Sequence, residues 1–139
     1  MKQAQETITV PGRGPGLHEI TTTICDWTQA QGIAVGLLSV YCCHTSASLI
    51  IQENADGDVR RDLETFFAKL VPEDPALYRH TTEGPDDMPA HIKGALTATS
   101  LAIPVAGGRP VLGTWQGIYL FEHRTRPHRR QLVLHLIGE

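Results

Sequence analysis

The sequence predicts an α+β fold, a single domain of mostly antiparallel sheet with a few helices packed on one face. Three observations predict it. Short runs rich in valine, leucine and isoleucine recur along the chain, several are joined by connections too short for a parallel crossover, and only a few segments carry a helical period. At 139 residues the chain can bury one full core but not two of ordinary size.

Taken in order, residues 3–10 weakly alternate and predict a strand, closed by the turn PGRGPG from Pro11 to Gly16. That turn lacks both a Walker lysine and GxGxxG spacing, so it is read as punctuation and not as a phosphate cradle. From His18 to Ala30, Ile20, Ile24 and Trp27 recur at helical intervals and Gly32 supplies a stop. Ile33 to Cys43 reads as a central strand, and Ser48 to Gln52 follows as another. Val59, Leu63, Phe66, Phe67 and Leu70 then define the firmest helix, with Asn54 or Asp56 as cap and Pro72 as terminator. A further helix starts near Met88-Pro89, because proline is tolerated in a first turn, and carries Met88, Ile92 and Leu96 as its apolar stripe. Leu101 to Val105, Val111 to Gly113, Thr114 to Arg124 and Gln131 to Ile137 complete the strands, with GGRP (Gly107 to Pro110) as a turn. The run Gln116 to Phe121 is apolar on both faces at its middle, which requires a second sheet or a subunit interface on its far side.

Composition narrows the function classes. At 41% hydrophobic and 19% charged the chain is globular, and no apolar run approaches the roughly 20 residues of a bilayer span. The start MKQAQETITV has no basic region followed by an apolar one, so a cytoplasmic protein without membrane attachment is expected. Cys25, Cys42 and Cys43 form an odd set without metal-type spacing and are read as reduced, Cys42 as a small buried hydrophobe. The net charge of -3 conceals a segregation: ten of the fifteen acidic residues lie between Glu53 and Asp87, and five of the twelve basic ones between Arg109 and Arg130. A nucleic-acid-binding domain is normally basic overall, so the cluster HRTRPHRR suggests a small phosphorylated metabolite, or simply a solvated hairpin loop.

Seven histidines are many for this length, and three stand in distinctive settings: His44 at a strand end, His80 after a proline-rich turn, and His91 in a first helical turn beside Asp86 and Asp87. No HExxH or CxxC spacing marks them. Three imidazoles converging from separate elements would suit Zn²⁺, Ni²⁺, Cu²⁺ or Fe²⁺, with the aspartates orienting the rings. A serine nucleophile beside His44 lacks any marked acid or oxyanion hole, so Thr45, Ser46 and Ser48 are read as hydroxyls bonding backbone or a ligand phosphate. Glu53 and Asn54 offer a carboxylate and an amide, or only helix capping. Gln116, Glu122 and Arg124 share one strand face and His123 takes the other; Glu122 and Arg124 form an ion pair or present an anion site.

The blocks HTSASLIIQENADGDVRRDLE, H-x2-EGPDDMPAHIK, SLAIPV and GRPVLGTWQGIYLFEHR resemble, in order, the signature of the YjbQ-like family, described as secondary thiamine-phosphate synthase enzymes. The resemblance implies an α+β homotrimer with a histidine cluster near subunit contacts, where a divalent ion can sit, zinc first and magnesium for a diphosphate. It implies a weak transferase that joins a hydroxymethylpyrimidine diphosphate to a thiazole phosphate and releases pyrophosphate. His44, His80 and His91 are then the expected metal ligands, and Glu53, Asn54, Glu83, Asp87, Gln116 and Glu122 the catalytic groups. Ser46, Trp115, Arg124, Arg126 and Arg129 are expected to bind substrate. The alternative is a metal-dependent hydrolase or a metal- or metabolite-binding accessory protein.

Overall fold

The computed structural model describes residues 1–139, which form eight strands and three α-helices. The strands are β1 (Lys2–Val10), β2 (Gly16–Glu19), β3 (Gly36–Cys42), β4 (Ala47–Glu53), β5 (Ser100–Ala106), β6 (Arg109–Pro110), β7 (Gln116–Glu122) and β8 (Arg130–Gly138). The helices are α1 (Thr21–Ala30), α2 (Gly57–Leu70) and α3 (Asp87–Leu96), with a 3₁₀ turn at Pro75–Leu77. Every strand pair is antiparallel: one sheet runs β1-β8-β3-β5-β6 and the other β2-β7-β4.

The two sheets share one core. Leu38, Val40, Ile103, Leu132, Leu134 and Leu136 of the larger sheet meet Leu49, Ile118 and Leu120 of the smaller, all at most 2% exposed, and Ile24 of α1 plugs one side. The doubly apolar β7 is thereby explained. Its Ile118 and Leu120 face the other sheet, while Tyr119 and Phe121 turn to the opposite side, where Leu63 and Phe67 of α2 cover them. The second sheet expected on the far side of this strand is present. Phe67 meets Phe121 edge-on at 5.3 Å, whereas Phe66 and Leu70 of the same helix face solvent.

Several boundaries differ from the sequence expectation for physical reasons. His18 lies in β2 and not in a helix, because Gly16–Glu19 add a third strand to β7, and α1 starts only at Thr21. Gly32, with φ 67°, stops that helix as expected. Asp56, not Asn54, caps α2: its Oδ1 accepts from the Asp58 amide at 2.9 Å. Arg109 and Pro110 pair with Ala106 and Val105 across the turn at Gly107 and Gly108, and Val111–Gly113 form no strand. The three cysteines are free, and burial pushes the Cys42 thiol up to about 11, which suits a packed side chain.

Candidate functional site

The site is built where the end of β7, the start of α3 and the loop after β3 meet. The loop before α3 brings Asp86 and Asp87 into the interior at 5% and 2% exposure, a position that ionised carboxylates hold only when paired. Arg124, just beyond β7, provides the pairing. Its Nε donates to Asp86 Oδ2 at 2.9 Å, its Nη1 to Asp87 Oδ1 at 2.8 Å, and its Nη2 to the Glu83 carbonyl at 3.0 Å. The Thr125 amide adds a fourth bond, to Asp86 at 3.0 Å. Burial alone would raise the pKa of Asp86; the Arg124 hydrogen bonds and charge and the Thr125 amide outweigh it and leave the carboxyl at about 2. For Asp87 burial likewise pushes upward, and His80, His91 and Arg124 together hold it below the ordinary value.

With one oxygen of Asp87 bound to Arg124, the other faces two imidazoles. His80 Nε2 lies 2.7 Å and His91 Nε2 3.1 Å from Asp87 Oδ2, and the two rings are 5.5 Å apart between centroids. The donor atoms of all three residues fall within 4.8 Å of one another. The tautomer of His91 is fixed by a carbonyl, which can only accept: Nδ1 donates to the Thr45 oxygen at 3.0 Å, so a neutral ring turns the Nε2 lone pair toward the carboxylate. Two acceptors then face each other unless a positive charge, a proton or a metal ion, lies between them. Two imidazole nitrogens and a carboxylate oxygen are a donor set that fits a divalent transition ion, zinc included.

His44 does not join this triad. Its Nε2 accepts the Gln131 backbone N–H at 2.8 Å, and its Nδ1 lies 3.4 Å from Arg130 Nη1, so both nitrogens are turned to β8. The third member of the cluster is instead Asp87, expected from sequence as a catalytic or ring-orienting group. His44 still lines, with His91, Ser46, Thr45 and Thr99, an open cleft of about 930 Å³ beside the triad. Burial lowers its pKa, and the Arg130 charge lowers it further.

The remaining expected residues fall into two groups. Glu122, 2% exposed, is saturated: it receives both Nε and Nη2 of the buried Arg130 and the amides of His123 and Arg124. It anchors the site from the interior. Glu83 contributes through its carbonyl, Arg126 lines a shallow polar hollow with Glu83 and Arg124, and Arg129 is exposed. Glu53, Asn54, Trp115 and Gln116 stand at the other end of the small sheet. Ala47 pairs with Glu122 and Glu53 with Gln116, and six residue steps of about 3.3 Å put roughly 20 Å between the two ends. There Glu53 accepts the Asp56 amide, Gln116 accepts the Gly113 amide, and Trp115 is 63% exposed. One chain therefore does not bring all the expected residues together. The reading from sequence also passed over His123 and Arg130. Asp87 and His91, one helical turn apart in DDMPAH, were a local sign of the cluster, but nothing local to Arg130 marks its partner across the hairpin.

The comparisons agree with this fold throughout. A family model described as UPF0047 protein YjbQ-like matches residues 6–139. A UPF0047 protein of Synechocystis sp. is 55% identical over 138 residues, covering 99% of this chain and 94% of the relative. YjbQ of Salmonella typhimurium is 47% identical, covering 97% of this chain and 98% of its own. The crystal structure of a conserved hypothetical protein from Thermus thermophilus superposes with a TM-score of 0.84 at 32% identity, covering 95% of this chain and 99% of the other.

Proposed function

From the premise that the chain belongs to the YjbQ-like UPF0047 family, we propose that it is a cytoplasmic, divalent-metal-binding protein acting on a small phosphorylated metabolite. The reaction proposed is thiamine-phosphate-synthase-type transfer, joining a hydroxymethylpyrimidine diphosphate to a thiazole phosphate with release of pyrophosphate. The observation that carries the reading is the triad of His80, Asp87 and His91, of which His91 lines a cleft of about 930 Å³. These residues would hold zinc, or magnesium shared with a diphosphate. When bound, the ion supplies positive charge against the oxygens of a leaving diphosphate. The chain's own part is positioning: Arg124 and Asp86 hold Asp87 in place, the Thr45 carbonyl orients His91, and Ser46, with His44, lines the cleft that would receive the substrate.

One observation favours a second reading, a metal-dependent hydrolase or a metabolite-binding protein. All three faces of the Arg124 guanidinium are engaged within the chain, so diphosphate recognition falls to the exposed Arg126 and Arg129. Pyrophosphate release with and without thiazole phosphate separates the readings: transfer requires both substrates, and phosphate release unaffected by omitting the thiazole rules transfer out. The site is tested by calorimetric zinc titration. Alanine at His80, Asp87 or His91 is expected to weaken binding beyond the 10–100-fold typical of losing a supporting hydrogen bond, whereas His44→Ala retains it; undiminished affinity in the three triad variants rejects the ligand set.

A further inference from the structure

A second cavity, of about 260 Å³, lies between α2, α3 and the end of β7. Its chemistry is set by six side chains: Glu64, Phe67, Glu73, Lys93, Phe121 and His123. His123 is 3% exposed, and its Nδ1 is the single buried side-chain nitrogen or oxygen atom in the chain with no hydrogen-bond partner. Native interiors seldom leave such an atom unpaired.

The proton on the ring can be located. Thr97 Oγ1 lies 2.8 Å from the Lys93 carbonyl and 2.5 Å from Ser48 Oγ, and Ser48 Oγ lies 2.8 Å from His123 Nε2. The carbonyl only accepts, so the threonine proton goes there. The serine proton then goes to Thr97, and the third contact is left for an Nε2–H on His123. Three contacts thus take three protons in one consistent order, and Nδ1 carries a bare lone pair. Burial, with the charges of Lys93 and Arg130, pushes this imidazole down to about 3, so protonation does not relieve it.

Lys93 on α3 enters no ion pair, and neither Glu64 nor Glu73 is bonded through its carboxylate. The lining thus includes three acceptor groups and one cationic donor beside the packed pair of Phe67 and Phe121. A simple anion meets two carboxylates here; a simple amine leaves the ammonium of Lys93 unanswered.

We propose that this cavity binds a small aminocarboxylate, whose ammonium donates to His123 Nδ1 and faces Glu64 and Glu73 while its carboxylate accepts from Lys93. The site is independent of the metal triad. It is tested on the full chain labelled with nitrogen-15, by long-range proton–nitrogen spectra of the histidine rings with glycine, β-alanine and γ-aminobutyrate as probes, beside acetate and methylamine. The free protein should show His123 with Nε2 protonated and Nδ1 bare. At least one aminocarboxylate should move the Nδ1 resonance in the direction of hydrogen-bond acceptance, and acetate and methylamine should bind at least about tenfold more weakly. Lys93→Met, at a partly exposed position that folding tolerates, should weaken the aminocarboxylate by a similar factor. A proton found on Nδ1, no response to any of the three probes, or equal binding of acetate or methylamine overturns the proposal.

Discussion

Asp87 serves three partners at once, since its two oxygens face Arg124, His80 and His91 from inside the protein. Its neighbour Asp86 is what makes that arrangement stable, by sharing the same guanidinium. The pH dependence follows from the carboxyl held at about 2. A depressed folded-state pKa adds stability that is complete above the unfolded value of about 3.9 and is lost as pH falls through the folded one. Wild type should therefore exceed Asp86→Asn in urea-denaturation stability at neutral pH, with the gap closing between about pH 4 and pH 2; a gap constant over that range contradicts the assignment. Arg124→Met, which strips both buried carboxylates of their shared guanidinium, should cost about 3–5 kcal/mol in the same measurement.

At the scale of elements, β7 and α2 decide the interior of the small sheet. Phe67 caps Tyr119 and Phe121, and Phe67→Ala is expected to destabilise by about 3 kcal/mol, at the low end for a phenylalanine because the helix stays partly solvated. Phe66→Ala, at an exposed position, should change thermal midpoint by much less. These elements also show what was legible in advance. The period of α2, the proline-tolerant start of α3 and the two-faced apolarity of β7 are local patterns, and each was present where the residues put it. The cluster was legible in both of its histidines, and its Asp87 and His91 lie one helical turn apart. His18 was misplaced because only pairing with Leu120 of β7 makes it a strand residue, and pairing across a hundred residues leaves no local trace. His44 stands apart from the cluster because its Nε2 accepts from the Gln131 amide, a backbone group that sequence does not distinguish from any other.

The molecule as a whole is a two-sheet sandwich, and the residues expected from sequence to form one site lie at both ends of its smaller sheet. Glu53, Asn54, Trp115 and Gln116 reach the histidine end only if another copy supplies them. The acidic segment from Glu53 to Asp87 and the basic stretch from Arg109 to Arg130 supply the attraction for such an assembly. We expect a homotrimer by sedimentation at low salt, weakened as ionic strength rises; a monomer at every salt concentration removes this route to a single composite site.

The order of strands in the larger sheet has a consequence for biosynthesis. β8, the last strand made, lies between β1 and β3, pairing with the first along Lys2 to Val10 and with the second along Gly36 to Cys42. Until it emerges from the ribosome, both earlier strands lack their principal neighbour and the centre of the sheet is missing. Completion of the sheet must therefore wait for β8, and a nascent chain with two unsatisfied edges is the species that needs protection from its own kind.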